Sequence, residues 1–203
     1  KEEQRRIREE MREEERAQRE IEQAKLKAER EEKMYLQALE KARTEMGQAV
    51  GEKQAELLKR IAELEAGLVD AETLKQKAIS MAQQTKMGYV YVISNIGSFG
   101  ENVYKIGMTR RLEPMDRVRE LGDASVPFQF DVHALIFSKN APELETFLHK
   151  EFENYRVNMV NPRREFFRIG LSEIREAAKK YGAKVEFTMI AEAEEYRETL
   201  RMQ

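Results

Sequence analysis

The first 86 residues contain no proline and only three glycines, Gly47, Gly51 and Gly67. Proline costs about 3 kcal/mol inside a helix and glycine about 1 kcal/mol. Little in this stretch therefore interrupts a helix, and its text of Glu, Arg, Lys, Gln and Ala favours one. If unbroken, it would reach about 130 Å at 1.5 Å per residue. Leu57, Ile61, Leu64, Leu68 and Ala71 follow a 4-3-4-3 spacing, the mark of a heptad seam. Upstream of Val50 the apolar residues thin out to Ile7, Met11, Ile21, Met34, Leu36 and Leu39. There Glu/Arg pairs three or four residues apart must carry much of the helicity. A helix this polar needs a partner. The expectation is a homo-oligomer or a helical partner docking through residues 1–86, beside the plainer reading of a solvated spacer helix, with Gly47 and Gly51, one turn apart, marking a break or bend.

The text changes at Met87. All four prolines, seven of the ten glycines and nearly all the aromatics follow it. Strand-like alternation over 89–94 and 102–107 flanks turn signals at Asn95-Ile-Gly97 and Phe99-Gly100. Residues 113–121 read as a helix, with Pro114 in its first turn and Gly122 after its end. A strand over 128–137, a helix over 141–155, a short strand over 165–169 and a helix over 171–181 follow. For the last helix Ser172 is the candidate cap and Gly182 the stop. Residues 184–190 read as one more strand and 192–202 as a polar terminal helix. The expected fold class is α+β. A helical arm (1–86) precedes a small domain (87–182) with a mostly antiparallel sheet flanked by helices, and a C-terminal strand and helix (183–203) close the chain.

Charged residues make up 36% of the chain, yet the net charge is only -2, so bulk charge argues for no partner and only local clusters can. There is no cysteine, which removes disulfides and thiolate chemistry and fits a reducing compartment. No apolar run reaches a membrane span, and the expected location is cytoplasmic. An anchor upstream of Lys1 would lie outside this sequence.

The stretch from Tyr89 to Arg111 carries more polar groups than a buried hairpin needs. Strand side chains alternate faces, so Tyr91 is expected to face Lys105 across the sheet, next to Gly107 where a ligand can approach closely. Arg110, Arg111, Arg117 and Arg119 follow within about a dozen residues, and arginine suits bidentate phosphate recognition. Glu145 and His149 are four apart and share a helix face. One carboxylate with phosphate oxygens and waters suffices for Mg²⁺. Plainer readings stand beside these. Tyr89, Tyr91 and Tyr104 fit as ordinary strand aromatics. Lys105 fits as edge protection, and His133 as structural. Arg156, Arg163 and Arg164 fit either a DNA track or an ordinary surface. Glu165 reads as an acid that pairs with an arginine, ahead of two core or rim aromatics that could instead stack on a base.

Taken in order, Gly88-Tyr-Val-Tyr-Val92, Lys105-Ile-Gly-Met-Thr109, Arg117-Val-Arg-Glu-Leu121, Glu145 with Leu148-His149, Arg156 and Glu165-Phe-Phe167 resemble the GIY-YIG nuclease superfamily. The likeness is to its phage-associated, T5-type branch and spans about residues 87–170. The resemblance implies a metal-dependent DNA endonuclease, acting on foreign or phage DNA. Tyr91 would orient or deprotonate the attacking water, and Arg117 would offset charge on the phosphate. Glu145 would hold Mg²⁺ or Mn²⁺, and His149 would move a proton or bind phosphate. Arg110, Arg111, Arg119, Arg156 and Arg164 would track the DNA. One position departs: Lys105 stands where the second motif has tyrosine. It could polarise the phosphate or lower the Tyr91 pKa. It also leaves open a DNA-binding module without chemistry, or a coiled-coil scaffold capped by an inert domain.

Overall fold

A computed structural model of the chain describes residues 2–123, 126–161, 164–184 and 186–203. The described residues form two compact units, divided between Gln83 and Gln84.

The first unit is a helical hairpin. Helix α1 (Glu2–Met46) and helix α2 (Glu52–Gln83) are separated at the glycine pair, where Gly51 takes a left-handed φ of 70°. The expected single long helix is thus folded back, and the seam that called for an outside partner is filled by the same chain. Leu39 and Ala42 of α1 bury against Ile61 of α2, with Met46, Leu64 and Leu68 around them. Further along α1 the buried residues are Ala17, Ile21 and Ala28, while Met34 and Leu36 face outward. The α1 stripe is largely alanine, which small-residue packing favours and hydropathy hides. The Tyr35 ring lies against the Gly67 backbone, so close that a Cβ at 67 would stand 2.6 Å from it. Arg43 reaches Glu65 at 2.8 Å, and Lys75 reaches Glu32. Among the described residues no helix is long and apolar enough to cross a membrane.

The second unit is α+β, as its text predicts. Its strands are β1 (Gly88–Ser94), β2 (Val103–Thr109), β3 (Asp131–Ser138) and β4 (Phe166–Arg168), in spatial order β3-β1-β2-β4, with every pairing antiparallel. The helices are α3 (Ile96–Phe99), α4 (Pro114–Asp123), α5 (Ala141–Glu151), α6 (Leu171–Tyr181) and α7 (Glu194–Met202). One sheet face, with Val90, Val92, Ile106, Ala134 and Ile136, packs under Leu144 and Leu148 of α5 and Ile174 and Ala178 of α6. The other carries Tyr91 and Ile93 against Val118 of α4, with Leu121, Phe130, Val132 and Leu135 at its margin.

Local chemistry differs from expectation in three places. The β1–β2 connection is a helical turn rather than a plain one: the Asn95 side chain accepts from Ser98 N and donates to Phe128 O. The cap of α6 is Gly170, and Ser172 lies inside the helix; Gly182 ends it at φ 96° as expected. The strand expected over 184–190 is absent among its described residues, Val185 lying outside them. There Thr188 N donates to His133 O, and the His133 ring bridges Ser94 Oγ (2.8 Å) and Thr188 O (2.6 Å). One histidine thus ties down what a strand ladder would have.

Candidate active site

Register decides what meets on the α4 face. Tyr91 pairs with Gly107, and Lys105 with Ile93, so Tyr91 and Lys105 share that face one pair apart rather than directly opposed. Tyr104 points to the other face, edge-on to His133. Gly107 has no side chain, and the Tyr91 phenol fills its place; a Cβ at 107 would stand 2.5 Å from the phenol oxygen. Tyr91 is only 3% exposed.

Strand β4 pairs with three residues of β2, ending at Lys105. Past that point Ile106 N donates to Glu165 O (3.1 Å), and Ile106 O accepts from His149 Nε2 (2.8 Å). The Lys105 ammonium donates to the Glu165 carboxylate at 2.7 Å. Glu165 therefore fixes Lys105 through its side chain and Ile106, the anchor of His149, through its backbone. The sequence marks Glu165 only as an acid expected to pair with an arginine. Its lysine partner depends on the β2–β4 register, which no local pattern reveals.

The groups feel one another. Burial pushes the Tyr91 phenol above the usual tyrosine value; Lys105 and Arg117 pull it down, Glu165 and Glu145 push it up, and burial wins. The expected lowering by Lys105 is real in direction but outweighed, so Tyr91 is a neutral phenol. Burial pushes Lys105 down, yet Tyr91, Glu165 and Glu145 together raise it above the usual lysine value. His149 is held below its usual value by burial, with Arg156 and Lys105 adding to it against Ile106 O and Glu165. A neutral His149 that donates Nε2–H to a carbonyl carries its lone pair on Nδ1. These couplings bring Tyr91, Lys105, Arg117, Glu145 and His149 into one neighbourhood, drawn from β1, β2, α4 and α5.

The expected DNA-contacting arginines divide. Arg111 is a correction. It is 2% exposed and forked onto Glu120 at 2.7 and 2.8 Å, so it braces α4 against the β2–α4 connection and has no surface to offer DNA. Arg117 shares that Glu120 at 3.9 Å and is part-exposed. Arg156 lies over the Phe167 ring, 5.0 Å from its centroid, in the His149 neighbourhood. Arg110 is half-buried with its stem near Gly88. Arg119 is exposed and paired to Asp116 at 2.6 Å, and Arg164 is exposed. Arg163 lies outside the described residues.

Among the described residues no three His, Asp or Glu side chains gather as a metal cage. The donor chemistry nonetheless fits a hard ion that keeps its waters, because Mg²⁺ takes one or two carboxylates with phosphate oxygens. Glu145, half-buried, supplies a carboxylate whose charge reaches Tyr91 and Lys105.

Residues 88–182 match the T5orf172 domain family. Over 95 residues the chain is 36% identical to the putative KilA-N domain-containing protein 315L of Invertebrate iridescent virus 6. That match covers 46% of this chain and 38% of the viral protein, so the chain spans well under half of its relative. No solved structure matches the chain.

Proposed function

We propose that residues 84–203 bind DNA and hydrolyse a phosphodiester bond with the help of a divalent ion, in the manner of a GIY-YIG nuclease. The observation that carries this reading is that Lys105, Arg117 and Glu145 all act electrostatically on Tyr91, whose phenol lies over Gly107, and that Lys105 also acts on His149, which is anchored at Ile106 O. The match to the T5orf172 domain and the relative encoded by a virus support DNA binding, and foreign or phage DNA is the substrate of this proposal.

Each residue's part follows from its environment. Arg117 and Lys105 bring positive charge to a phosphate and offset the charge that builds as it is attacked. His149 is neutral, and its Nδ1 can take a proton from water. Tyr91, a neutral phenol, orients by hydrogen bonding rather than acting as a phenolate base. Glu145 would hold Mg²⁺ or Mn²⁺, which would supply Lewis-acid stabilisation of the phosphate.

Plasmid nicking with Mg²⁺ tests this. Arg117→Ala and Glu145→Ala should each cut about 10²- to 10³-fold more slowly than wild type. Equal rates in all three proteins would overturn the assignment. A second reading, DNA binding without hydrolysis, draws on the near-complete burial of Tyr91 and the capture of Lys105 by Glu165. It predicts salt-dependent binding and no nicking with any divalent ion.

A further inference from the structure

Beside Lys105 stand two aromatic rings, Phe99 and Phe166, that neither the phosphate chemistry nor the two apolar clusters of the sheet require, and they run on to Phe130 at the margin of the α4 cluster. Phe166 pairs with Lys105 across β2–β4 and shares its face, with the Lys105 Nζ 5.4 Å from the Phe166 ring centroid. The Phe99 ring lies 4.7 Å from Phe166, tilted by 49°, and 6.3 Å from Phe130 at 25°. Neither Phe99 nor Phe166 belongs to the cluster under α5 and α6 or to the one under α4. Phe99 keeps 37% of its surface exposed.

The chain holds Phe99 there with unusual care. It ends a four-residue helical turn, and Asn95, 1% exposed, fixes that turn through Ser98 N and Phe128 O. Gly100 then leaves at φ 83°. A buried amide and a left-handed glycine thus hold a part-exposed ring in place. A ring meant only to fill space would be pressed into a core. A ring fixed in advance at the rim loses little entropy when something flat is laid on it.

We propose that Phe99, supported by Phe130 and Phe166, is a stacking platform for an unpaired nucleobase of the DNA strand whose phosphate lies at Lys105. The proposal rests on the DNA-binding reading and names its substrate class: single-stranded, frayed or flipped DNA at the site of contact. A nucleotide carries a base and a phosphate joined through one sugar, and here an aromatic face adjoins an ammonium in the same way. A base within an intact duplex already stacks on both sides, so the platform selects an unpaired one. Stacking of this kind tolerates any base identity.

The test measures binding in EDTA, so that no strand is cut. Fluorescence anisotropy compares labelled oligo(dT) with a blunt duplex for wild type, Phe99→Leu and Phe99→Trp. Leucine keeps the apolar packing and removes the π-face. Phe99→Leu should weaken oligo(dT) binding by about 5- to 150-fold. Phe99→Trp should hold it, and duplex affinity should stay within about twofold. Oligo(dT) binding by Phe99→Leu equal to wild type overturns the proposal, as does an equal loss on both DNAs, which would mark a structural role. Nicking is read separately. A protein that never cuts yet shows the strand-selective loss keeps the platform and loses the nuclease, and a cutting protein without that loss does the reverse.

Discussion

The helical hairpin and the sheet domain hide their information at different levels. In the hairpin every residue announces its secondary structure, and almost none announces its partner. In the domain the local signals are weaker, but the residues that carry chemistry are the wrong ones for a simple core and so stand out. The hairpin meets along alanines, a cluster of Leu39, Ile61 and their neighbours, and one tyrosine laid over a glycine, with ion pairs such as Arg43–Glu65 on its flanks. The domain buries two faces of one sheet and still keeps Lys105, His149 and Arg111 wholly or partly enclosed. Helix-forming text therefore says that a helix exists. Polar text in a strand says that something must answer it.

The largest expected effect would break the tie between sequence polarity and surface. Glu120→Ala leaves the enclosed Arg111 guanidinium without its fork. It should cost about 2–3 kcal/mol, somewhat below a fully buried pair because Glu120 is part-exposed. Urea unfolding checks it, and a loss under 0.5 kcal/mol would return Arg111 to the surface. Gly67→Val probes the hairpin in the same currency. Its side chain must displace the Tyr35 ring, at about 1–3 kcal/mol. Hydrogen exchange should report the loss within residues 2–83 and leave protection of β1 and β2 unchanged.

Glu165→Gln sharpens the comparison from the domain side. Lys105 loses a counter-charge and should deprotonate at lower pH, visible in lysine-selective NMR. Nicking should slow about tenfold, the equivalent of one pKa unit of stabilisation, while DNA affinity does not weaken. Loss of affinity and rate together would mark ordinary unfolding. The smallest effect is in pH. Folded Tyr91 and Lys105 both hold their protons more tightly than the unfolded chain. Their contribution to stability is complete below about pH 10 and is lost as pH rises beyond it. His149 runs the other way: the unfolded chain binds its proton more readily, so stability declines as pH falls below about 6.5. A melting profile against pH that is flat at both ends would contradict both assignments.

The order of elements from β1 to α6 was legible because turn residues and capping prolines are local. The glycine pair marked the hairpin's bend, but not that the chain doubles back, since alanine is at once a helix former and a seam residue. Arg110 and Arg111 are neighbours of identical chemistry, and the fork onto Glu120 reaching from α4 is a tertiary contact that no local pattern reveals. The strand expected over 184–190 has the right residue types, yet among its described residues the bond to β3 is the one from Thr188 N to His133 O. Strand propensity could not show that a side chain does the rest. Glu165 was visible as an acid, but the register that brings it to Lys105 belongs to the folded sheet.

The phenol of Tyr91 lying where Gly107 lacks a side chain has a consequence for how such a chain can vary. The two positions share one volume, so they are not free to change separately. A relative carrying alanine or larger at 107 must hold something smaller than tyrosine at 91, or turn that ring off the sheet. Read across many sequences, positions 91 and 107 should behave as a single letter.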